Sequence, residues 1–236
     1  MSKLVEIDIK KKLPEINRKG FIETKRKGDT GVGYTLEEEL GIAENNKRMG
    51  DLSYLGKGVE LKTQRSSTTA PVTLFSQNPE KPILNNKAML VKYGYTDENG
   101  RLSLYVEIKA SKPNSQGLML RTAKEEKRLY VSHVKDGDLW FWKINSLRPK
   151  IERLFFVVAD SKKENGTEYF HYIKAHFLIG FNKDKFFEQI EQGKIVVNLR
   201  MHLKKSGSVR DHGTVFRGKF EDFNVCYDTK ENLIAP

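Results

Sequence analysis

The stretch from Gly58 to Gln64 alternates apolar and charged residues, a pattern typical of a β-strand. Successive side chains of a strand point to opposite faces. Val59 and Leu61 are therefore expected to enter a core, whereas Glu60 and Lys62 share the other face. This strand would carry an acid and a lysine side by side.

The remaining pattern predicts a mixed α/β chain. Helical periodicity covers residues 3–18, 34–41, 86–93 and 182–192. Strand-like segments are 71–75, 102–108, 118–120, 128–131, 139–142, 154–159, 169–178 and 195–201. The strands between 102 and 142 would form an antiparallel meander, and the apolar run 154–159 indicates a strand buried on both faces. A short helix is expected from 145 to 150, and the tail after Phe223 is expected to be frayed.

Composition narrows the function classes. The chain has 236 residues, enough for one large domain or two lobes, and a formal net charge of +11. Such a charge favours a polyanionic partner, most often nucleic acid, although a merely basic protein has the same balance. The single cysteine, Cys226, allows neither an internal disulfide nor a cysteine-based zinc site. No apolar run approaches the roughly 20 residues of a membrane span, so no membrane-spanning segment is expected, and the single cysteine fits a reducing cytoplasm.

Asp51 precedes the Glu60 strand and follows Gly50, where a turn can bring the two acids together. Two carboxylates that converge on one point favour a divalent cation between them, since bare anions repel. Lys62 could then hold a water or a phosphate oxygen, as metal-assisted attack on a phosphodiester requires. Glu37 is a third acid that could come near. Because so short a motif also arises by chance, a solvated charged face is the alternative.

Two further segments are rich in cations. Lys25, Arg26 and Lys27 precede a glycine-rich turn and suit contacts to a DNA backbone, or are plain solvated charge. Near the C-terminus, Arg210 and His212 lie among glycines and small polar residues. Arginine can bond both acceptors of guanine and histidine can donate to a base edge, so this segment is either a base-reading loop or a solvated basic one.

Six ordered segments of the chain resemble the MvaI/BcnI family of type II restriction endonucleases. The resemblance covers nearly the whole chain and is weakest between about residues 100 and 150. The segments are Glu23–Gly33, Leu36–Glu37, Gly50–Leu52, Val59–Lys62, Thr73–Phe75 and Asp211–Arg217.

This resemblance implies a PD-(D/E)xK fold of the α/β (α+β) class, in which a mixed sheet is flanked by helices and a second lobe reads DNA. The catalytic lobe would comprise mainly residues 1–100 and 150–200, and the recognition lobe the middle meander and residues 200–220. By resemblance, Asp51 and Glu60 hold Mg²⁺, Lys62 positions or activates water, and Glu37 supports the site.

In the C-terminal segment, His212 and Arg217 match residues that the family places at the bases. Arg210 and Asp211 are neighbouring candidates for DNA contacts.

The resemblance further implies Mg²⁺-dependent cleavage of double-stranded DNA at a short GC-rich site. The enzyme would act as a monomer, cutting one strand and then the other and leaving 5′-phosphate ends. The resemblance places the enzyme in a bacterial or archaeal cytoplasm, with a cognate DNA methyltransferase as its functional partner. A strand-nicking enzyme similar to MutH of mismatch repair is one alternative, and a non-catalytic DNA-binding module is the other. The presence of Glu37, Asp51, Glu60 and Lys62 together argues against the module.

Overall fold

The computed structural model of the protein describes residues 4–42, 50–81 and 83–234, which form a mixed α/β structure. The helices, in chain order, are α1 (Ile9–Arg18), α2 (Gly31–Leu40), α3 (Asn86–Tyr93), α4 (Lys183–Glu191) and α5 (Phe220–Phe223). The strands, in chain order, are β1 (Ile22–Glu23), β2 (Leu52–Tyr54), β3 (Lys57–Arg65), β4 (Val72–Ser76), β5 (Tyr95–Thr96), β6 (Leu102–Ile108), β7 (Leu118–Ala123), β8 (Arg128–His133), β9 (Gly137–Lys143), β10 (Arg153–Glu164), β11 (Thr167–Phe181), β12 (Val196–Leu203), β13 (Val209–Asp211), β14 (Val215–Gly218) and β15 (Tyr227–Ile234). Among these described residues, no helix is both long and apolar enough to cross a membrane.

The chain divides into two compact units. The first comprises residues 1–70, 150–182 and 227–236, and the second comprises 71–149 and 183–226. Segments 71–100 and 183–200, expected in the catalytic lobe, thus belong to the second unit. The assignment of catalysis and recognition to separate lobes stays a prediction.

The sheet of the first unit has the strand order β1-β11-β10-β3-β2, and β15 pairs with β11. β3 runs parallel to β10, with Glu60 opposite Leu154, whereas the other pairs are antiparallel. This is the mixed sheet expected from the sequence. The apolar run predicted as a buried strand is β10, which lies between β3 and β11.

Helix α2 packs directly on β3. A Cβ at Gly33 would lie only 3.2 Å from the Thr63 hydroxyl oxygen, so the helix approaches the strand closely at this glycine. Leu36 of α2 and Val59 of β3 are buried in the same apolar cluster. The helix ends at Leu40, and Gly41 follows it in the left-handed conformation, which glycine adopts readily.

In the second unit, one sheet has the order β4-β14-β12-β6-β5 with β13 on β12, and β7-β8-β9 form a separate three-stranded meander. The prediction that segment 102–108 belongs to the meander is wrong, because β6 pairs with β12 and β5. Alternation along a strand identifies its faces but carries no information about its partner.

Two other expectations are corrected. The tail expected to fray contains β15, which satisfies the backbone groups along one side of the long strand β11. The helix expected from 145 to 150 is only a 3₁₀ turn at Ile144–Ser146.

Phe155 tests the centre of the first unit. Its ring is fully buried in β10 and stacks on Phe177 of β11 at 4.4 Å. Phe155→Ala is expected to lower the free energy of unfolding by about 3–5 kcal/mol through lost burial and a cavity. Urea denaturation measures the loss, with the exposed Phe21→Ala as control. Equal losses in both variants would contradict a core centred on β10.

Candidate active site and nucleic-acid interface

The β2–β3 hairpin brings Asp51 back beside Glu60. Its two-residue turn, Leu55-Gly56, has positive φ at both positions (51° and 70°), the requirement of a type I′ hairpin turn. The hairpin pairs Leu52 with Val59. The residue before β2 is therefore carried alongside the middle of β3.

Asp51 is hydrogen-bonded to β3 through both its backbone and its side chain. Its backbone N–H donates to the Val59 carbonyl at 2.9 Å, and its carboxylate oxygen Oδ2 accepts the Leu61 N–H at 2.6 Å. These two contacts lie on either side of Glu60 in the sequence. The structure thus brings the first two predicted site residues together.

Gly50 makes this approach possible. Its φ is +106°, and a Cβ there would lie 2.8 Å from the Val59 carbonyl oxygen. A side chain would therefore be strained in its backbone and would collide with β3.

Glu60 and Lys62 occupy the face of β3 opposite the buried Val59 and Leu61, as the alternation predicts. The Lys62 ammonium lies 2.5 Å from Glu60 Oε1, and the two side chains are only 26% and 30% exposed. The lysine is therefore held at the carboxylate pair.

Burial raises the pKa of the Asp51 carboxyl, and the neighbouring Glu60 charge raises it further. The Leu61 N–H and the Lys62 ammonium oppose this shift. The pair thus carries negative charge that Lys62 only partly offsets. Carboxylate oxygens are ligands that Mg²⁺ takes, so Asp51 and Glu60 fit a divalent cation.

Glu37 is half-buried on α2, one turn beyond Gly33 and on the same helix face. Within residues 4–42, 50–81 and 83–234, no three acid, histidine or cysteine side chains come together as a metal-binding group. The supporting role of Glu37 stays a prediction.

The residues predicted to contact the DNA backbone lie between β1 and α2. Lys25 and Lys27 are exposed, whereas the Arg26 guanidinium stacks on the Tyr34 ring at 3.7 Å. The stretch thus presents two lysines to solvent, with an arginine fixed between them.

In the second unit, the predicted base-reading residue His212 is exposed beside two aromatic residues that the sequence did not single out. Its ring lies 5.3 Å from that of His202 and 5.9 Å from that of Tyr105. Arg210 pairs with His202 across β13 and β12. Asp211 is bound within the unit, because its carboxylate accepts the Asn86 side-chain amide at 2.8 Å.

The same sheet face carries two further arginines. Arg217 donates to the Pro71 carbonyl at 2.5 Å, and it lies opposite Val196 on β12. Arg200, four residues along β12, points to that face as well. The Nε atoms of both arginines are buried and lack a partner among the described residues. Buried donors without partners are costly, so this face is suited to a ligand rich in acceptors. In the sequence, the polar residues 198, 200 and 202 alternate with apolar ones along β12. This alternation is the signal that could have identified Arg200 as a residue of the polar face.

A mixed sheet in which two carboxylates and a lysine come together at one strand is an arrangement that nucleases use. The family model of the MvaI/BcnI restriction endonucleases matches residues 10–227 of this chain. The chain therefore belongs to the MvaI/BcnI restriction endonuclease family and is a site-specific, DNA-cleaving enzyme.

Two solved structures of a restriction endonuclease are also similar to this chain. The restriction endonuclease MvaI with its cognate DNA substrate is 28% identical, with 96% of this chain and 97% of that chain covered and a TM-score of 0.79. MvaI in the absence of DNA is 25% identical, with 99% and 100% covered and a TM-score of 0.58. A comparison with curated proteins finds no match.

Gly50→Ala tests the attachment of Asp51. Strain and collision with β3 are expected to cost about 1–3 kcal/mol of stability and to displace Asp51, with loss of DNA cleavage. Thermal unfolding and a cleavage assay measure both effects. Gly20→Ala is the control, because Gly20 also has a positive φ of 71° but no atom within 4 Å of the added Cβ. Equal cleavage by both variants would contradict the role of Gly50.

The raised pKa of Asp51 predicts a pH-dependent stability in the absence of metal. A carboxyl whose pKa is higher in the folded than in the unfolded state favours folding when protonated, and this contribution is lost as pH rises through the folded pKa. Asp51→Asn should therefore raise the melting temperature near neutral pH, and its advantage should shrink as pH falls below that pKa. Melting in EDTA across this range measures it, with the exposed Glu38→Gln as control. A destabilised Asp51→Asn at neutral pH would contradict the buried-charge assignment.

Proposed function

We propose that this protein is a type II restriction endonuclease that uses Mg²⁺ to hydrolyse double-stranded DNA at a short GC-rich site. The observation that carries the proposal is the attachment of Asp51 to β3 on both sides of Glu60, with Lys62 bound to Glu60. Two carboxylates and a lysine gathered at one strand are the groups that metal-assisted hydrolysis of a phosphodiester uses.

In this mechanism, Asp51 and Glu60 would hold the ion through their carboxylate oxygens. The chemistry that Mg²⁺ would supply there is positive charge at the scissile phosphate and a more acidic water. The Leu61 N–H keeps the Asp51 carboxylate oriented toward Glu60. Lys62 exchanges its bond to Glu60 for the attacking water or a phosphate oxygen. In-line attack leaves a 5′-phosphate and a 3′-hydroxyl.

Glu37 takes a supporting role in this proposal. Its helix, α2, packs on β3 at Gly33, and the backbone carbonyl of Glu37 receives the Ile42 N–H at 2.8 Å where the helix ends. Glu37 therefore acts through the position of β3 and is not assigned as a metal ligand.

Double-stranded DNA is the proposed partner. Lys25, Arg26 and Lys27 hold backbone phosphates, which fixes register without reading sequence. Arg210, Asp211, His212 and Arg217 form the proposed base-reading set, and the second-unit face adds Tyr105, Arg200 and His202. Arginine prefers the two acceptors of guanine, which favours a GC-rich site. The similarity to MvaI, whose structure contains its cognate DNA substrate, supports double-stranded DNA as the partner.

We further propose that the enzyme acts as a monomer and cuts the two strands in succession. A cognate DNA methyltransferase protects the host sequence as its functional partner. In this arrangement the Asp51–Glu60 pair of a single chain serves both DNA strands. The enzyme must therefore rebind or turn on the duplex between the two cuts.

Digestion of a plasmid and of a long phage-type DNA, with Mg²⁺ or with EDTA, tests the function. Discrete Mg²⁺-dependent fragments with a common end sequence are expected, and sequencing of the ends gives the site. Nicked circles that persist at high enzyme concentration would instead indicate a strand-nicking enzyme.

Asp51→Asn is expected to slow this cleavage by about a thousandfold or more. The charge stabilisation that depends on the carboxylate pair is worth several kcal/mol, and about 1.4 kcal/mol is a factor of ten. Single-turnover rates with saturating enzyme measure the effect, and Glu38→Gln serves as the control. DNA that is bound but never cut, with no difference between wild type and Asp51→Asn, would leave only a binding module.

A further inference from the structure

The first unit contains a cleft of about 870 Å³, which we call the Arg65 cleft. The cleft lies between the β1–α2 loop and the tip of the β10–β11 hairpin. Its lining residues are Glu23–Asp29, Arg65, Lys163 and Asn165–Glu168.

Arg65 forms the floor of the cleft. Its guanidinium binds the Glu168 carboxylate through two bonds, at 2.8 and 2.9 Å, and also donates to the backbone carbonyls of Gly28 and Asp29 at 3.2 Å. These bonds neutralise Glu168 and fix the loop to β3. The Arg65 bonds and the nearby Lys163 charge hold the pKa of Glu168 below its usual range.

The loop itself is rigidly held. The Thr24 N–H donates to the Glu168 carbonyl at 2.9 Å, and the Lys25 N–H donates to the Thr35 hydroxyl at 2.9 Å. A Cβ at Gly31 would lie 2.3 Å from the Arg26 carbonyl oxygen, so the loop packs tightly on the start of α2. The side chains of the loop are thus presented from a fixed backbone.

The opposite wall is equally defined. Asn165 and Gly166, with φ of 48° and 79°, make the tight turn between β10 and β11. This turn places Lys163 directly across from Glu168. Lys163 is therefore carried at the tip of a regular hairpin.

The cations at the rim outnumber the acids. Lys25, Lys27 and Lys163 are exposed and form no ion pair with any described residue. Glu23 is the acid on this rim, while Asp29 and Glu168 both lie toward Arg65. The cleft therefore offers lysine charge that its own acids do not cancel.

We propose that the Arg65 cleft binds a backbone phosphate of the substrate DNA, contacted by Lys25, Lys27 and Lys163, with Arg65 as the positioning residue. The assignment of Lys163 rests on the proposed function, since the ligand is the DNA that the enzyme cuts. Arg65 lies three residues beyond Lys62 on β3 and on the opposite face of the strand, the face on which α2 packs. The cleft therefore contacts a phosphate away from the scissile bond.

The salt dependence of DNA binding tests the cleft without requiring cleavage. Binding of a fluorescent duplex in EDTA is measured over a range of salt for the wild type, Lys163→Gln and Lys174→Gln. Lys174 is an exposed lysine on β11, remote in sequence from the hairpin tip. Lys163→Gln is expected to weaken binding about three- to tenfold and to reduce the slope of log affinity against log salt by about 0.9. Lys174→Gln is expected to change neither. Equal slopes for Lys163→Gln and the wild type would overturn the proposal.

Cross-linking locates the contact. Cys226 is fully buried, and burial raises the pKa of its thiol to about 12, so a cysteine placed at 163 can be labelled selectively. Lys163→Cys carrying a photoactivatable group should cross-link to the DNA at one defined position relative to the cleaved bond, and Lys174→Cys should not. Cross-linking from both positions alike, or from neither, would overturn the cleft as a phosphate site. A wild-type enzyme that binds but does not cut would refute the proposed function and leave the binding result standing.

Discussion

The hydrogen bonds between Asp51 and β3 are the constraint on which the candidate site depends. A carboxylate placed beside another carboxylate and partly buried would ordinarily move away into water. Here Asp51 is tied to β3 by its own N–H and by the Leu61 N–H, and Gly50 permits the approach. The backbone therefore holds two carboxylates close together, and a bound cation would relieve the repulsion between them.

That geometry depends on the rest of the first unit. β3 is fixed on one side by the buried strand β10 and on one face by α2, which meets it at Gly33. The same packing turns Val59 and Leu61 inward and leaves Glu60 and Lys62 on the other face. The fold thus places Glu60 and Lys62 side by side on one face of β3. The chain belongs to a family of DNA-cleaving enzymes, and this is the site that we propose for the cleavage.

Much of this site could be predicted from the sequence, because it is local. The alternation around Glu60, the glycine before Asp51 and the hairpin lie within a short stretch of chain. Features that depend on distant partners could not be predicted. Tyr105 and His202 meet His212 only through the pairing of β6 with β12, and β15 was missed because its polar sequence gains its order from β11. The close approach of α2 to β3 at Gly33 likewise depends on a tertiary contact that no local pattern reveals.

Anomalous diffraction from crystals soaked in Mn²⁺, a divalent ion that stands in for Mg²⁺, tests the central claim most directly. A peak between the carboxylates of Asp51 and Glu60, absent in Asp51→Asn crystals soaked in the same way, is the predicted result. Well-ordered crystals that show no peak there, or a peak held by other residues, would contradict the assignment of this carboxylate pair as the metal site.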